Sequence, residues 1–456
     1  MDKRFPIEDQ IDMLASALKG RVINPHHPDY DSVRLIASGQ FDHRPAAVIR
    51  PASAADVAAV VNFANATGLA LAVRSGGHSV PGYSGVEGGL VIDLRDLNGM
   101  TIDPVGRTGW FGTGLTAGEV TAALEPQKLI IGFGDSASVG IGGLTLGGGI
   151  GYLVRKHGLT VDQLMAAEVV TANGDIVIAD ATNHPDLFWA LRGGGGNFGV
   201  VTRMRFRLQR LEQFIGGPLI LPATPEVIAG FAAAAEAAPD ELTAIALVLP
   251  APPLPFLPPQ IVGQTVLMAM MAYAGDAEAA ARALAPFRAL TTPIADLVGP
   301  APLSSLYIPE DPNMRPAVAC RSLFMERIGR DEAAVMLDHL DRDDAPMRAI
   351  QIRVLGGAAA RVAGDATAFA HRQSRIMIAA LAMDAPPAAA RHDAWARDAV
   401  AALRQGDSAV YVNFLADEPE RLRHAYPGAT WERLRRVKRQ YDPENLFRRN
   451  QNIPPA

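Results

Sequence analysis

At 456 residues, 49% of them hydrophobic and 20% charged, the chain has the make-up of a folded protein with two or three domains and a large core. A net charge of −6 and the lack of any long basic run argue against a nucleic-acid partner. A single cysteine, Cys320, rules out an intrachain disulfide and any cysteine-cluster metal site, and no metal is expected. No apolar stretch reaches the roughly 18 residues that span a bilayer, and the opening MDKRFPIEDQ has no apolar signal core, so a cytoplasmic protein with no membrane partner is expected.

AAVIR (46–50) reads as a short buried strand stopped by Pro51. A helix follows, with Ser53 as N-cap, Asp56 three residues later and a stop at Gly68. LALAV is the next strand and runs into RSGGHSVPGYSG (74–85), where four glycines surround His78. GGLVIDLRDLNGMTIDP predicts two strands around an Asn98-Gly99 turn. GWFGTGLTAGEVTAALEPQ predicts a strand and a helix capped by Thr116 with Glu119. A second glycine-dense stretch occupies 132–159, then a hairpin on Asn173-Gly174, then a helix, a glycine loop and a strand in HPDLFWALRGGGGNFGVVTRMRFRL.

Composition changes near residue 212. From there to about residue 400, strand-like runs (LTAIALVLP, QTVLMAMMAYAG, MRAIQIRVLGG) alternate with alanine-rich helices. The pattern predicts an α+β region, one antiparallel sheet with helices on one face. The proline string 250–259 reads as a loop between strands. SAVYVNFLADEP then returns to a strand, followed by a helix and a non-helical tail.

Glycine is the residue that loses most conformational freedom on folding, so three dense glycine loops imply tight bends or close approach to a ligand. The dinucleotide fingerprint fails here, because GIGGLTLGGGIG does not open a helix straight after a first strand. A phosphate-loop Gly-Lys-Ser/Thr is absent as well. Backbone N–H groups in such turns can still form nests for the pyrophosphate of an extended cofactor such as FAD. A histidine at the rim of one nest could bond the flavin's 8α carbon covalently.

From VIRPASAADVAAVV onward the chain resembles the berberine bridge enzyme-like family of FAD-linked oxidases, within the vanillyl-alcohol oxidase or p-cresol methylhydroxylase (PCMH) type of FAD domain. The likeness runs through SVGIGGLTLGGGIGYLVRKHGLTVDQL and DLFWALRGGGGNFGVVT to YVNF and YDPENLFRRNQNIPP, from about residue 44 to the end. The fold it implies is α+β, a PCMH-type two-part FAD-binding domain plus a substrate domain whose antiparallel sheet is covered by helices. The implied domains are 1–212 for FAD and 213–408 for substrate, with 409–456 returning to the FAD domain. Carried over by motif, His78 is the 8α-histidyl attachment site, and Arg74, Ser75, Gly76, Gly77 and Ser79 form the pyrophosphate loop. Val139, Gly140, Ile141, Gly142, Gly143 and Gly149, with Tyr152, run along the flavin. Gly199 and Val201 meet the adenine half, Tyr411 and Asn413 form the Tyr-x-Asn strand beside the ring, and Asn450 and Gln451 close over it.

Two departures stand out. Relatives that attach flavin twice use a cysteine where this chain has Ser136, so one covalent link, through His78, is expected. Ile141 stands where valine goes with oxidases and bulkier residues with slow reaction toward dioxygen. The implied activity is transfer of a hydride from a small organic substrate to flavin N5, with dioxygen returning as hydrogen peroxide. The alternatives are a dehydrogenase or oxidative cyclase of the same fold that reacts poorly with dioxygen, and a flavin-binding protein without turnover. Tyr411 either deprotonates or orients the substrate or only packs on the ring edge, while Asn413 holds a hydrogen bond. Gln351 and Arg353 share one strand face, toward either the pocket or solvent, with solvent expected for Arg353. His371 and His157 read as structural, Cys320 as a small buried hydrophobe and Glu326 as a solvated or ion-paired acid. Substrate identity and oligomeric state are not legible.

Overall fold

The computed structural model describes residues 6–307, 311, 314–406 and 408–456. Its first sheet runs Arg21–Ile23, Ala47–Arg50, Leu90–Asp93 and Leu71–Arg74, the last three parallel. The helix Ala54–Thr67 makes the crossover between two of them. Its Ser53 hydroxyl accepts the Asp56 N–H, and Gly68 ends it with φ of 75°.

A second sheet is antiparallel throughout, in the order Met100–Asp103, Thr108–Gly112, Val200–Arg207, Leu164–Val170, Ile176–Asp180. The Asn173-Gly174 hairpin lies in it as expected. The expected hairpin at Asn98-Gly99 is not formed, because Leu90–Asp93 stays in the parallel sheet while Met100–Asp103 pairs with Thr108–Gly112. Thr116 and Glu119 form the predicted capping box at the start of Ala117–Leu124.

The third sheet has eight strands and is antiparallel. Its main path is Ala295–Asp296, Ile215–Pro222, Thr265–Tyr273, Leu242–Pro250, Met347–Val354, Ile376–Asp384 and Ala317–Met325. The helices Pro225–Ala237, Ala277–Arg288, Arg330–Asp341 and Ala389–Ala402 cover one face, enclosing Leu219, Phe231, Val248, Phe287, Ile352 and Ile378. The α+β arrangement is the one the alternating strand and helix runs predict. Among the described residues no helix is long and apolar enough to cross a membrane.

After this sheet the chain returns to the first half. Val410, Val412, Leu415, Tyr426, Leu434 and Ile453 pack into the same core as Phe111, Val201 and Phe206. The strand expected in SAVYVNFLADEP (408–419) is absent; Val412–Phe414 is a single 3₁₀ turn instead. The tail is fastened by Lys438, fully buried, whose Nζ donates to Asp442, to the Asn197 carbonyl at 2.8 Å and to the Phe447 carbonyl at 2.9 Å. Asp442 in turn accepts the Leu446 and Phe447 N–H groups, so neither buried charge lacks a partner.

Candidate active site

The strand Leu71–Arg74 delivers the chain into Ser75-Gly76-Gly77-His78. A Cβ on Gly76 would collide with the backbone of Gly140, and one on Gly140 with Gly76, so two glycine loops meet backbone to backbone. Gly77 holds a left-handed φ of 78°. The Ser75 hydroxyl ties the loops, donating to the Thr113 carbonyl at 2.5 Å and accepting from the Gly142 N–H at 3.3 Å. His78 Nε2 lies 2.8 Å from Ser138 Oγ, itself 3.4 Å from Ser136 Oγ. Ser79 accepts the Tyr83 N–H, turning the chain back after the histidine.

Other sequence-assigned residues take different surroundings. Arg74 begins the loop, but its guanidinium is 2% exposed and turned into the protein, paired with Asp93 at 3.0 Å and bonded to the carbonyls of Val33 and Leu35. Ile141 is fully buried in the core with Phe111 and Leu115, while Val139 stays partly exposed and gives its carbonyl to Ala117. Gly143 differs from its neighbours, since a Cβ there would meet nothing within 4 Å. Tyr152 packs with Tyr307, Ile245 and Met270, against the large sheet. Gly199 leads into the strand Val200–Arg207, where the Val201 carbonyl accepts the Thr113 hydroxyl.

The residues of the Tyr-x-Asn motif converge on one oxygen. Tyr411 Oη accepts the Gly149 N–H at 3.0 Å and Asn413 Nδ2 at 2.9 Å. Asn413 Nδ2 also donates to the Leu144 carbonyl at 3.1 Å. The 3₁₀ turn makes this arrangement, bringing Asn413 back onto its neighbour's hydroxyl. Burial raises the Tyr411 pKa above the ordinary phenol value, opposed by the Gly149 and Asn413 hydrogen bonds and by the Arg353 charge.

Arg353 is 3% exposed, so the expectation that it faces solvent is overturned. It pairs with Asp135 at 2.7 Å, donates to the Ile150 carbonyl at 2.8 Å and to Gln351 Oε1 at 2.8 Å, and stacks over Phe414. A buried guanidinium needs such partners, and they lie across the two halves of the chain. Sequence reasoning singled out neither Asp135 nor its pairing, although it stands beside Ser136. His371 stacks on Phe324, and Glu326 is exposed. His157 ends the short helix Val154–His157, its pKa pushed down to about 4 by burial. Cys320 is buried, with its thiol pushed up to about 12.

The tail completes the site. Gln451 Nε2 donates to the Leu415 and Ala416 carbonyls at 2.7 and 3.2 Å. Asn450 Nδ2 donates to the Gly196 and Phe447 carbonyls, but its buried Oδ1 meets no partner. With the loop-to-loop glycine contact and the open space at Gly143, this is what a cradle for FAD requires, and the residues fit that cofactor.

Comparison with known proteins settles the family. Residues 45–180 match the family model described as FAD binding domain, and residues 410–454 the one described as berberine and berberine like. An uncharacterized FAD-linked oxidoreductase of Bacillus subtilis, YgaK, is 31% identical over 97% of this chain and 98% of its own. The (R)-6-hydroxynicotine oxidase of Paenarthrobacter nicotinovorans is 30% identical over 96% and 97%. The chain belongs to the berberine bridge enzyme-like family of FAD-linked oxidoreductases. The family fold is matched by the crystal structure of 6-hydroxy-D-nicotine oxidase from Arthrobacter nicotinovorans, with a TM-score of 0.86, 27% identity, and coverage of 96% and 98%. This family member is therefore an FAD-linked oxidoreductase, and its fold is the PCMH type with an antiparallel substrate-side sheet.

Proposed function

We propose that the enzyme holds FAD by a single covalent bond to His78 and oxidises a small organic substrate, with dioxygen reduced to hydrogen peroxide in the return step. In this reading residues 1–212 and 409–456 hold FAD and residues 213–408 hold substrate. The observation that carries it is the Tyr411 hydroxyl, which accepts two N–H groups and lies within reach of the Arg353 charge. A phenol oxygen so occupied turns its own hydrogen toward a third group. Bound FAD supplies the two-electron acceptor for a hydride leaving a substrate C–H.

Once its own proton has passed to that third group, Tyr411 as tyrosinate takes the proton from the neighbouring O–H or N–H of the substrate. Gly149, Asn413 and Arg353 reduce the cost of negative charge on its oxygen. Ser75, Gly76, Gly77, Ser79, Val139, Gly140, Gly142 and Gly143 hold the pyrophosphate and flavin through backbone N–H groups, while the Ser75 hydroxyl ties the two loops together. Arg74 supports that loop from behind. Asn450 Oδ1 accepts from the cofactor, and Gln451 fixes the tail over it. Ser136, next to Ser138 and His78, offers no thiolate for a second link. The single cysteine supports a reducing, cytoplasmic compartment.

The second reading is a dehydrogenase that reacts slowly with dioxygen, favoured by Ile141, which is larger than the valine that accompanies oxidases in this family. One experiment separates the main claims. Yellow protein is precipitated with acid, washed, and assayed for flavin absorbance in the pellet beside His78→Ala. Colour kept in the parent and lost in the variant supports the histidyl link, and colour released from both refutes it. Rapid air reoxidation after substrate reduction then supports the oxidase over the dehydrogenase.

A further inference from the structure

We propose that the substrate is a compact, neutral aromatic alcohol or phenol, held flat against an apolar wall with one O–H donated to Asp135, and not a sugar; this rests on the reading that the site oxidises a small molecule beside FAD. Strand register determines the wall. On the face of the eight-stranded sheet that carries no helices, Leu247 stands opposite both Met268 and Gln351, Gln351 opposite Ala379, and Ala379 opposite Ser322. One step along, Leu381 stands between Ala349 and Cys320. The proline loop folds over one end of this face, packing Leu257 with Leu249 and Met268. Cys320 lies near the Phe414 carbonyl at the other. Between these limits Leu247 and Leu381 remain partly exposed.

The polar groups on this face have almost no capacity left. Gln351 Nε2 donates to Asp135 at 3.2 Å and its Oε1 accepts from Arg353. Ser322 is buried. Asp135 is different, because Oδ2 takes both Arg353 and Gln351 while the side chain stays 26% exposed. On this face that leaves Asp135 Oδ1 as the charged acceptor open to a ligand, beside the buried Ser322 hydroxyl. The Arg353 charge beside it neutralises the pair, so the position favours a neutral O–H donor over a cation. A sugar would press several hydroxyls against leucine and alanine, where they lose water and, beyond Asp135 and the single Ser322 hydroxyl, find no partner. A flat ring loses nothing there.

The test uses the FAD-loaded protein and ligands that have no oxidisable benzylic carbon. Phenol, anisole (which lacks the donor) and xylobiose are titrated under anaerobic conditions, binding being read as a shift of the flavin absorbance band and any oxidation of the xylobiose reducing end as its bleaching. Phenol is expected to bind about 10-fold more tightly than anisole, and xylobiose not to bind. Asp135→Asn should weaken phenol by about 10-fold and leave anisole within about twofold. Leu381→Asn, which leaves the Asp135 pair intact, should weaken phenol and anisole together. Xylobiose binding more tightly than phenol, an equal response of phenol and anisole to Asp135→Asn, or no perturbation by phenol would each overturn the proposal. Failure of the Tyr411 reading is seen elsewhere, as a Tyr411→Phe variant reduced at the parent rate, whatever the order of binding.

Discussion

The wall made by Ser75–His78 and Ser138–Gly143 is backbone, whereas the wall around Arg353 is side chain. In the first, Gly76 and Gly140 touch directly, and the groups proposed to hold the cofactor are backbone N–H groups. In the second, Asp135, Gln351 and Arg353 come from segments as much as 218 residues apart and are joined by hydrogen bonds that depend on each identity, and the Arg353 charge acts on Tyr411. A backbone wall suits a constant cofactor, because it tolerates few substitutions and needs none. A side-chain wall can be re-cut for a new substrate without disturbing the first.

That contrast is broken or sharpened by substitution. The largest expected effect is on the side-chain wall, where Tyr411→Phe should slow anaerobic flavin reduction by about 10²–10⁴-fold while FAD stays bound. Reduction at the parent rate would assign Tyr411 to packing alone. On the backbone wall, Gly140→Ala drives a methyl into Gly76 and should lower stability by about 1–3 kcal/mol in urea unfolding, with loss of flavin. Gly143→Ala is the complement. It lies in the helix Ile141–Leu146 facing open space, so it should stabilise the FAD-free protein by about 0.5–1 kcal/mol yet reduce the flavin retained. If both alanine variants keep their flavin, the cradle has been misassigned.

A finer effect separates the two walls by pH. Removing the guanidinium in Arg353→Met takes away a charge that lowers the Tyr411 pKa, so the rise of reduction rate with pH should move to higher pH. An unmoved profile would detach Arg353 from the phenol. The smallest effect lies away from both walls. His392 is buried, which pulls its pKa down, but hydrogen bonds to Asp343 and Asp384, both at 2.9 Å, outweigh this and leave it raised. Its contribution to stability is therefore complete below the unfolded value near 6.5 and fades as pH rises through the folded value. Urea midpoints should fall over that window in the parent and stay flatter in His392→Gln.

The same contrast governs what could be read from the chain alone. The Ser53 cap, the Thr116–Glu119 box and the Asn173-Gly174 hairpin are local, and a few adjacent residues determine each. The glycine loops are legible for the same reason. The Asp135–Arg353 pair spans 218 residues and carries no local mark. Arg353 and Gln351 do alternate on one strand face, but alternation alone does not tell which face is inside. Tyr-Val-Asn-Phe has the period of a strand, yet it winds into a 3₁₀ turn because the Asn413 amide finds both the Leu144 carbonyl and the Tyr411 hydroxyl there. Tertiary partners outweighed the local pattern.

The return of residues 410–453 to the core of Phe111, Val201 and Phe206 bears on the order of events on the ribosome. The eight-stranded sheet is contiguous, drawn from strands between Ile215 and Asp384, and can close while translation continues. The half that is synthesised first must wait for Lys438 and Asp442 to emerge before its own core is sealed. The core around Phe111 and Phe206 thus closes last, whereas the core of the first sheet draws on the tail only through Leu446 and Phe447. A pulse-labelled translation arrested after residue 405 should accordingly yield a protease-resistant fragment from the middle of the chain, with the first 200 residues still cleavable.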